Sequence, residues 1–445
     1  RSVFMYRFKI ENDTKAFDQF VWDNKGSYLQ CSRWHLVKEA WDSILYSGFE
    51  GENRVLTCMV LTRKMPGAGI IWYIPCGAVC DYSNKDLQKE FLDFIKKESK
   101  KAGATALVID PLIPLRINDE IIADGVENHK LFTENGLKLN TVIDSYTYKH
   151  PVQTYIHLLD NDGKQIPADK ILKNCEKGVR YSVRIGATRG LESKTFTYED
   201  VEKNPAIMDE FMSVMEDTSN RNEFVQRNGE YITHLMKVFA DCCDITMVYY
   251  NKKVDCDLEK ERQSKKAELL ALLETAPEKK IKGIKGEIEA LDNNTKAFNT
   301  RMEETKDYPN DAVIPVAGGF TLRYAGVASC LFGGTKNIIR NNTRSSHYLN
   351  YLRICKSIET GCHIHDLGYV MVKEPEINPD GTLGKMNPRD NFVGINDFKM
   401  SFGAKYYEFI GEYIFVNKKM KYYLYSNLMP KTKHFIMSVI LKFKK

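Results

Sequence analysis

Residues 255–307 constrain the fold more than any other stretch of this chain. Glycine and aromatic residues thin out there and charge rises. Ile281, Ile284, Ile288, Leu291, Phe298 and Met302 follow a 3-4-3-7-4 spacing, with Thr295 at the skipped position. That is the a/d seam of a helix packed along a partner helix. Leu258, Leu269, Leu272 and Ala276 offer the partner stripe upstream, and Ala276-Pro277-Glu278 supplies the break. The pattern predicts an antiparallel helical hairpin with roughly two dozen residues per arm, about 35 Å long. An element of that length protrudes from whatever carries it, either as a dimerising coiled coil or as a contact arm for a large ligand. Lys279, Lys280, Lys282 and Lys285 crowd its tip, which favours a polyanion, although charge over the whole arm is nearly balanced.

The remaining chain is too long for one core: 445 residues predict two domains plus this insertion. Hydrophobic residues at 43% and charged residues at 28% fit a folded, soluble chain and exclude a disordered one. A net charge of +5 permits a nucleic-acid or anionic-membrane partner without demanding one. The 11 cysteines are odd in number and form no C-x-x-C pair, which reads as free thiols in a reducing cytoplasm. No apolar run approaches the ~20 residues of a membrane span, and Phe4-Met5-Tyr6 is no signal-peptide core. A cytoplasmic protein is expected.

The first 150 residues read as α/β. Trp34, Val37 and Trp41 have helical spacing after Ser32, a candidate N-cap. Ile70-Ile71-Trp72-Tyr73-Ile74 suits a buried strand, Leu87 to Lys101 a helix ending near Gly103, and Ala106 to Ile109 a strand stopped by Pro111. Further α/β stretches run from about Thr154 to Tyr250 and from Val313 to Phe415. Within residues 168–186, Lys170, Lys173, Lys177, Arg180 and Arg184 are spaced 3, 4, 3, 4, on one face of a predicted helix. Leu172, Cys175, Val179 and Val183 fall nearly opposite. Five cations with only Glu176 among them suit phosphate contacts, or else a solvated surface face.

Several separated segments then read as one pattern. They are Tyr28-Leu29-Gln30 with Trp34 and Lys38, Tyr73-Ile74-Pro75-Cys76-Gly77-Ala78-Val79, and Ile109-Asp110-Pro111. Thr218-x-x-Arg221-x-x-Phe224-x-x-Arg227-x-x-x-Tyr231 follows, then Gly326 to Gly334 and His365-Asp366-Leu367-Gly368. The last is Phe398-Lys399-x-x-Phe402-Gly403. In order and spacing these resemble the Fem family (FemA/FemX-like) of aminoacyl-tRNA-dependent peptidyltransferases of the peptidoglycan interpeptide bridge. The chain departs from the family at Ala78, where the family has Gly-Pro, and at His365 and Leu367, which replace aromatics.

The resemblance implies tandem GNAT-like (acyl-CoA N-acyltransferase-like) domains, α/β in class, with an inserted antiparallel coiled-coil hairpin. Residues 1–150 would form the first domain, completed by about 411–430. Residues 151–410 would form the second, with the hairpin at 255–307. It implies transfer of glycine, alanine or serine from aminoacyl-tRNA to the stem-peptide amine of lipid II or UDP-MurNAc-pentapeptide. By the same resemblance, Lys38 and either Arg221 or Arg227 hold the precursor's diphosphate, and Tyr73 lines the groove. Lys399 stabilises the oxyanion, since Phe398 and Phe402 flank it. Asp366 orients or deprotonates the amine, or simply caps a turn. Lys170, Lys173, Lys177, Arg180, Arg184, Lys279, Lys280 and Lys282 are the expected tRNA contacts.

No metal or cofactor is expected, with aminoacyl-tRNA as co-substrate. Cys362-His363-x-His365-Asp366 lacks a second ligand group at zinc-site spacing, and Gly333-Gly334-Thr335-Lys336 lacks Walker spacing. The acetyl-CoA loop pattern is also absent. Lys431 to Lys445 mixes cations with Phe435, Ile436, Val439 and Leu441, as an anionic-membrane contact or an edge strand with a solvated tail. A monomer and a homodimer are both compatible with the sequence. Two other readings remain: an acyl-CoA-dependent N-acyltransferase, and a non-catalytic coiled-coil interaction protein on a degenerate transferase core.

Overall fold

The computed structural model describes residues 5–67, 69–141, 151–222, 225–423 and 426. Phe224 and the Lys431–Lys445 segment lie outside them. The apolar run at residues 70–74 forms the strand Gly69–Cys76, which pairs in parallel with Ala104–Pro111, buried along its whole length. Parallel neighbours need a crossover. Here it is the helix Lys85–Lys101, whose N-cap Asn84 accepts from the Leu87 amide. The first sheet runs Arg7–Ile10, Asp42–Glu50, Asn53–Met65, Gly69–Cys76, Ala104–Pro111, Glu412–Val416, Lys138–Asn140. Glu412–Val416, near the end of the chain, inserts antiparallel between Ala104–Pro111 and Lys138–Asn140. Leu56, Trp72, Ile95, Leu107 and Tyr413 belong to the core of this layer.

The chain forms two compact units. One gathers Arg1–Ile166, Arg323–Ser329 and Gly361–Lys445, the other Pro167–Leu322 and Cys330–Thr360. A division at 150 and 410 falls elsewhere because it follows local periodicity, whereas strand pairing sets the units. Val152–His157 pairs with Ile364–Tyr369 on one side and Lys405–Phe409 on the other, and Lys405–Phe409 pairs with Pro114–Ile117. Residues 151–166 and 361–410 therefore lie with the first unit. In the second unit, Cys243–Asn251 pairs with Leu191–Phe196 and with Val313–Tyr324. A second parallel pair joins Val327–Thr335 to Ile364–Tyr369, and the chain between them forms the helix Ser345–Glu359.

The hairpin consists of the helices Lys252–Thr275 and Glu278–Glu304, broken at Ala276-Pro277. Cross-helix bonds join Asp255 to Arg301, Gln263 to Thr295 and Lys266 to Asp292, so the two run antiparallel. Ile284 is buried and the rest of the predicted seam is half-buried. The partner stripe differs from expectation: Leu272 is 51% exposed, and the inward face near the base carries buried Asp255 and Glu259. Polar side chains, not leucines, close that end.

The basic stretch 168–186 is not one helix. Cys175 and Glu176 are extended, which splits it into Ala168–Asn174 and Lys177–Ala187. Lys170 and Lys173 therefore do not share a helical face with Lys177, Arg180 and Arg184. Arg180 explains the break: its guanidinium donates to the Lys173 and Cys175 carbonyls, satisfying groups that the first helix leaves open. Lys173 pairs with Asp169 at 2.9 Å. Ile171, not Leu172, joins Cys175, Val179 and Val183 among the buried residues.

Candidate functional site

In the first unit, Gln30 organises the segment that carries Lys38. It is 1% exposed, and its amide donates to the Pro75 and Met59 carbonyls and accepts from the Met59 amide. A buried amide loses about 1–3 kcal/mol if such partners are removed, so Gln30 ties the Tyr28–Gln30 turn to two strands. The helix that follows is a single turn, Trp34–Val37. Arg33 is its N-cap, and Ser32 instead bonds Asp18, so the helix does not reach Trp41. Lys38 ends the turn with its ammonium 4.9 Å from the Trp34 ring centroid. The stem is anchored and the charge is held over an aromatic face.

Tyr73 lies beside Trp41, ring centroids 6.2 Å apart. Its hydroxyl donates to Asp110 Oδ2 at 2.8 Å, and the Cys76 amide donates to Asp110 Oδ1 at 2.7 Å. Burial, then the Asp110 charge, push the phenol well above its usual range. Cys76 has φ +62 and Gly77 φ +74. A Cβ on Gly77 would strike Tyr82 Oη and Pro111, so only glycine fits the turn leaving the strand. Glu412 is also buried. Asn140 donates to its Oε1 at 2.7 Å, and Oε2 has no partner among the described residues. Burial raises this carboxyl well above its ordinary value, and Asp110 adds to the rise. The Glu412 carboxyl therefore holds a proton more tightly than an ordinary carboxyl does, beside the hydrogen-bonded Asp110.

Asp110 and Glu412 are buried carboxyls of this unit that sequence reasoning did not single out as candidates. Asp110 did carry a signal: it precedes a proline at the carboxyl end of a parallel strand, where α/β sheets place ligands. Glu412 carried none.

The strand Val152–His157 of the same unit contributes Tyr155, whose ring lies 4.9 Å from Tyr407. Burial and then Asp366, Cys76 and Tyr407 raise its phenol well above the usual range, which places Tyr155 among these groups. Asp366 Oδ1 accepts from the Gly368 amide at 2.7 Å, a turn cap, while its charge faces Tyr155. Lys399, in the last turn of the helix Val393–Met400, donates to the Tyr369 carbonyl at 2.7 Å. Phe398 packs edge-on to buried Phe402 at 5.3 Å beside it. Lys38, Tyr73, Asp366 and Lys399 thus belong to one unit.

The arginines and the predicted tRNA contacts belong to the other. Arg221 ends the helix Ala206–Arg221. It donates to Asn337 Oδ1 at 2.6 Å, the Thr335 carbonyl and two threonine hydroxyls, all neutral acceptors. Burial and the nearby Arg340 charge lower its pKa. Arg227 lies over the Tyr231 ring at 4.8 Å and lines a separate open groove with Met208, Met212, His234 and Lys237. Lys170, Lys177 and Arg184 are exposed, as are Lys279, Lys280 and Lys282 in the first turns of the second hairpin helix.

A profile of the FemAB family matches residues 13–429. The lipid II:glycine glycyltransferase of Staphylococcus epidermidis is 22% identical over 431 residues, covering 95% of this chain and 96% of the relative. The aminoacyltransferase FemA of the same species is 25% identical over 411 residues, covering 88% and 91%. The crystal structure of FemX superposes with a TM-score of 0.70 at 20% identity, over 94% of this chain and 99% of that one. The fold is thus that of FemX, and the match over nearly the whole length makes this chain a member of the FemAB family.

Proposed function

We propose that this chain is an aminoacyltransferase that moves an amino acid from aminoacyl-tRNA to the stem-peptide amine of a peptidoglycan precursor. The observation that carries the reading is the family match over residues 13–429, together with near-full-length relatives named for lipid II glycyl and aminoacyl transfer. Two parallel strand pairs, each with a helical crossover between its strands, support the tandem GNAT-like topology.

The amine nitrogen attacks the ester carbonyl carbon, the C–N bond forms, and the C–O bond to the tRNA ribose breaks. The proton lost by the amine ends on the departing ribose hydroxyl. The step needs a neutral amine, although a lysine-type amine titrates near ~10.4. Asp110 or Asp366 takes or orients that proton. Lys399, its ammonium fixed on the Tyr369 carbonyl, meets the oxyanion charge. Lys38 holds a precursor phosphate. Lys279, Lys280 and Lys282 occupy the positive end of a helix dipole, where cations are disfavoured. A polyanionic RNA would relieve that repulsion, and the hairpin serves as its contact arm. The protein works at the inner membrane face, where lipid-linked precursor resides.

Donor choice tests the reading. Labelled aminoacyl-tRNA and labelled acyl-CoA are each presented with a pentapeptide precursor. Label should move from the tRNA, and label moving only from CoA would replace this reading.

A further inference from the structure

Beyond the groups above, the first unit gathers two histidines and two lysines about the end of the strand that carries Tyr155. His157 follows Tyr155 by two residues and shares its face. Lys405 pairs directly with Tyr155 on the neighbouring strand, so it lies diagonal to His157. Tyr407 stands two residues further along. Its hydroxyl is 2.8 Å from His157 Nε2, and the two rings stack at 6.0 Å and 28°. On the other side, Ile364 faces His157, and His363 precedes it. The His363 amide donates to the Gly326 carbonyl at 2.7 Å, and its own carbonyl accepts from the Leu158 amide at 2.9 Å. Gly326 has φ +79, and a Cβ there would collide with His363 Nδ1, so the imidazole has a seat that only glycine provides. Lys25, with φ +55 in the turn after the helix Thr14–Asp23, faces His363.

The charges facing these imidazoles are positive. Burial and then Lys405 push His157 down, while burial, Lys25 and His157 push His363 down. The carboxylates of the surrounding elements are engaged elsewhere. Asp366 faces Tyr155 and accepts from Gly368, and Glu408 pairs with buried Arg116. Asp160 caps its own turn through the Asp162 and Lys164 amides, and Asp23 accepts from Gln19.

We propose that Lys25, His157, His363 and Lys405, with the Tyr407 hydroxyl, form a binding site for a phosphoryl group. A dianion supplies the negative charge this cluster lacks, and its arrival favours the imidazolium forms. The His157–Tyr407 bond gives the site a proton switch. While His157 is neutral, its Nε2 accepts from the phenol. Once protonated, it donates to the phenol oxygen, and the Tyr407 O–H turns to the ligand. Which phosphoryl group is bound rests on the function proposed above: a phosphodiester of the donor RNA, or the diphosphate of the precursor.

The test follows the imidazole C2-proton resonances of His157 and His363 by NMR in the full chain, assigned through His157→Gln and His363→Gln. Inorganic pyrophosphate should shift both and raise their apparent pKa by about one unit, tenfold in proton affinity. Its affinity read at these resonances should strengthen from pH 8 to pH 6. Lys405→Gln, at an exposed position, should weaken that affinity several-fold even if a histidine variant folds poorly. Repeating the titration with a CCA-ended RNA oligonucleotide and with UDP separates the sources: the ligand that moves the histidines at lower concentration identifies the donor or the precursor. Resonances that ignore all three ligands in folded protein overturn the site. Histidines that respond in a chain that transfers no amino acid leave the anion site standing and remove the aminoacyl-transfer reading.

Discussion

Arg301→Met is the substitution that most sharply tests how the hairpin is held. Asp255 is fully buried and takes four bonds: Arg301 Nε at 2.6 Å, Arg301 Nη2 at 2.8 Å, the Tyr250 hydroxyl at 2.8 Å and Arg262 Nη2 at 3.4 Å. Arg301 is itself buried and also donates to Asn342 Oδ1 at 2.8 Å. Breaking a buried pair from one side costs about 3–5 kcal/mol, because a charge is left uncompensated. Tyr250 and Arg262 remain in place, so the lower figure applies, about 3 kcal/mol. Methionine keeps most of the stem volume, which limits the cavity contribution. Native-state hydrogen exchange over residues 252–304 reads the opening free energy locally, without assuming one transition for the whole chain. Exchange should accelerate about 150-fold, and Arg301→Met/Asp255→Asn should recover at least half of the loss. Leu291→Ala, in the half-buried seam, should cost only about 1 kcal/mol. The reasoning fails if Arg301→Met costs less than Leu291→Ala, or if the double variant recovers nothing.

Three further outcomes follow from the described contacts. Lys38→Ala should raise the apparent KM for a diphosphate-bearing precursor about tenfold while tRNA affinity stays within twofold, a charge-assisted contact being worth about 1.5–3 kcal/mol; an unchanged KM removes Lys38 from the site. Lys177→Ala with Arg184→Ala should reduce the slope of log K against log salt for tRNA by about 1.5, whereas Arg180→Ala should lower Tm through the lost carbonyl bonds; an unaltered slope leaves the two cations as solvated surface. His347 is pushed down to about 4 by burial and the nearby Arg344. Its folded pKa thus lies below the unfolded ~6.5, so the stability it contributes is complete above pH 6.5 and is lost as pH falls towards 4. The wild-type Tm should fall more steeply across that window than that of His347→Gln, and parallel curves would refute the assignment.

Local periodicity made much of this fold legible. The apolar run at 70–74, the helix from Leu87 and the break at Pro277 all leave signals within a few residues of themselves. The pairing of Val152–His157 with Lys405–Phe409 leaves none, because register between strands 250 residues apart is set by which faces bury together. The hairpin shows the same limit at side-chain level. Its helices are readable from Ile281 to Met302, but the clamp at its base is an Asp–Arg pair, and a hydrophobic template scores that pair as surface. The basic stretch shows the converse error. Perfect 3-4-3-4 spacing survived in the sequence although Arg180 is spent capping the helix end that interrupts it. Lys38 and Lys399 were proposed for the site through segments of the family pattern. Asp110 and Glu412 are buried beside Tyr73 and Asn140, and burial of a carboxylate cannot be read from spacing.

The most direct test of the central claim is mass spectrometry of a pentapeptide precursor incubated with the folded chain and tRNA charged with glycine, alanine or serine. The account predicts a gain of one aminoacyl residue in amide linkage at the stem-peptide amine, dependent on the charged tRNA and strongly reduced by Lys399→Met. A precursor of unchanged mass with every charged tRNA, on both lipid-linked and UDP-linked acceptors, would contradict it.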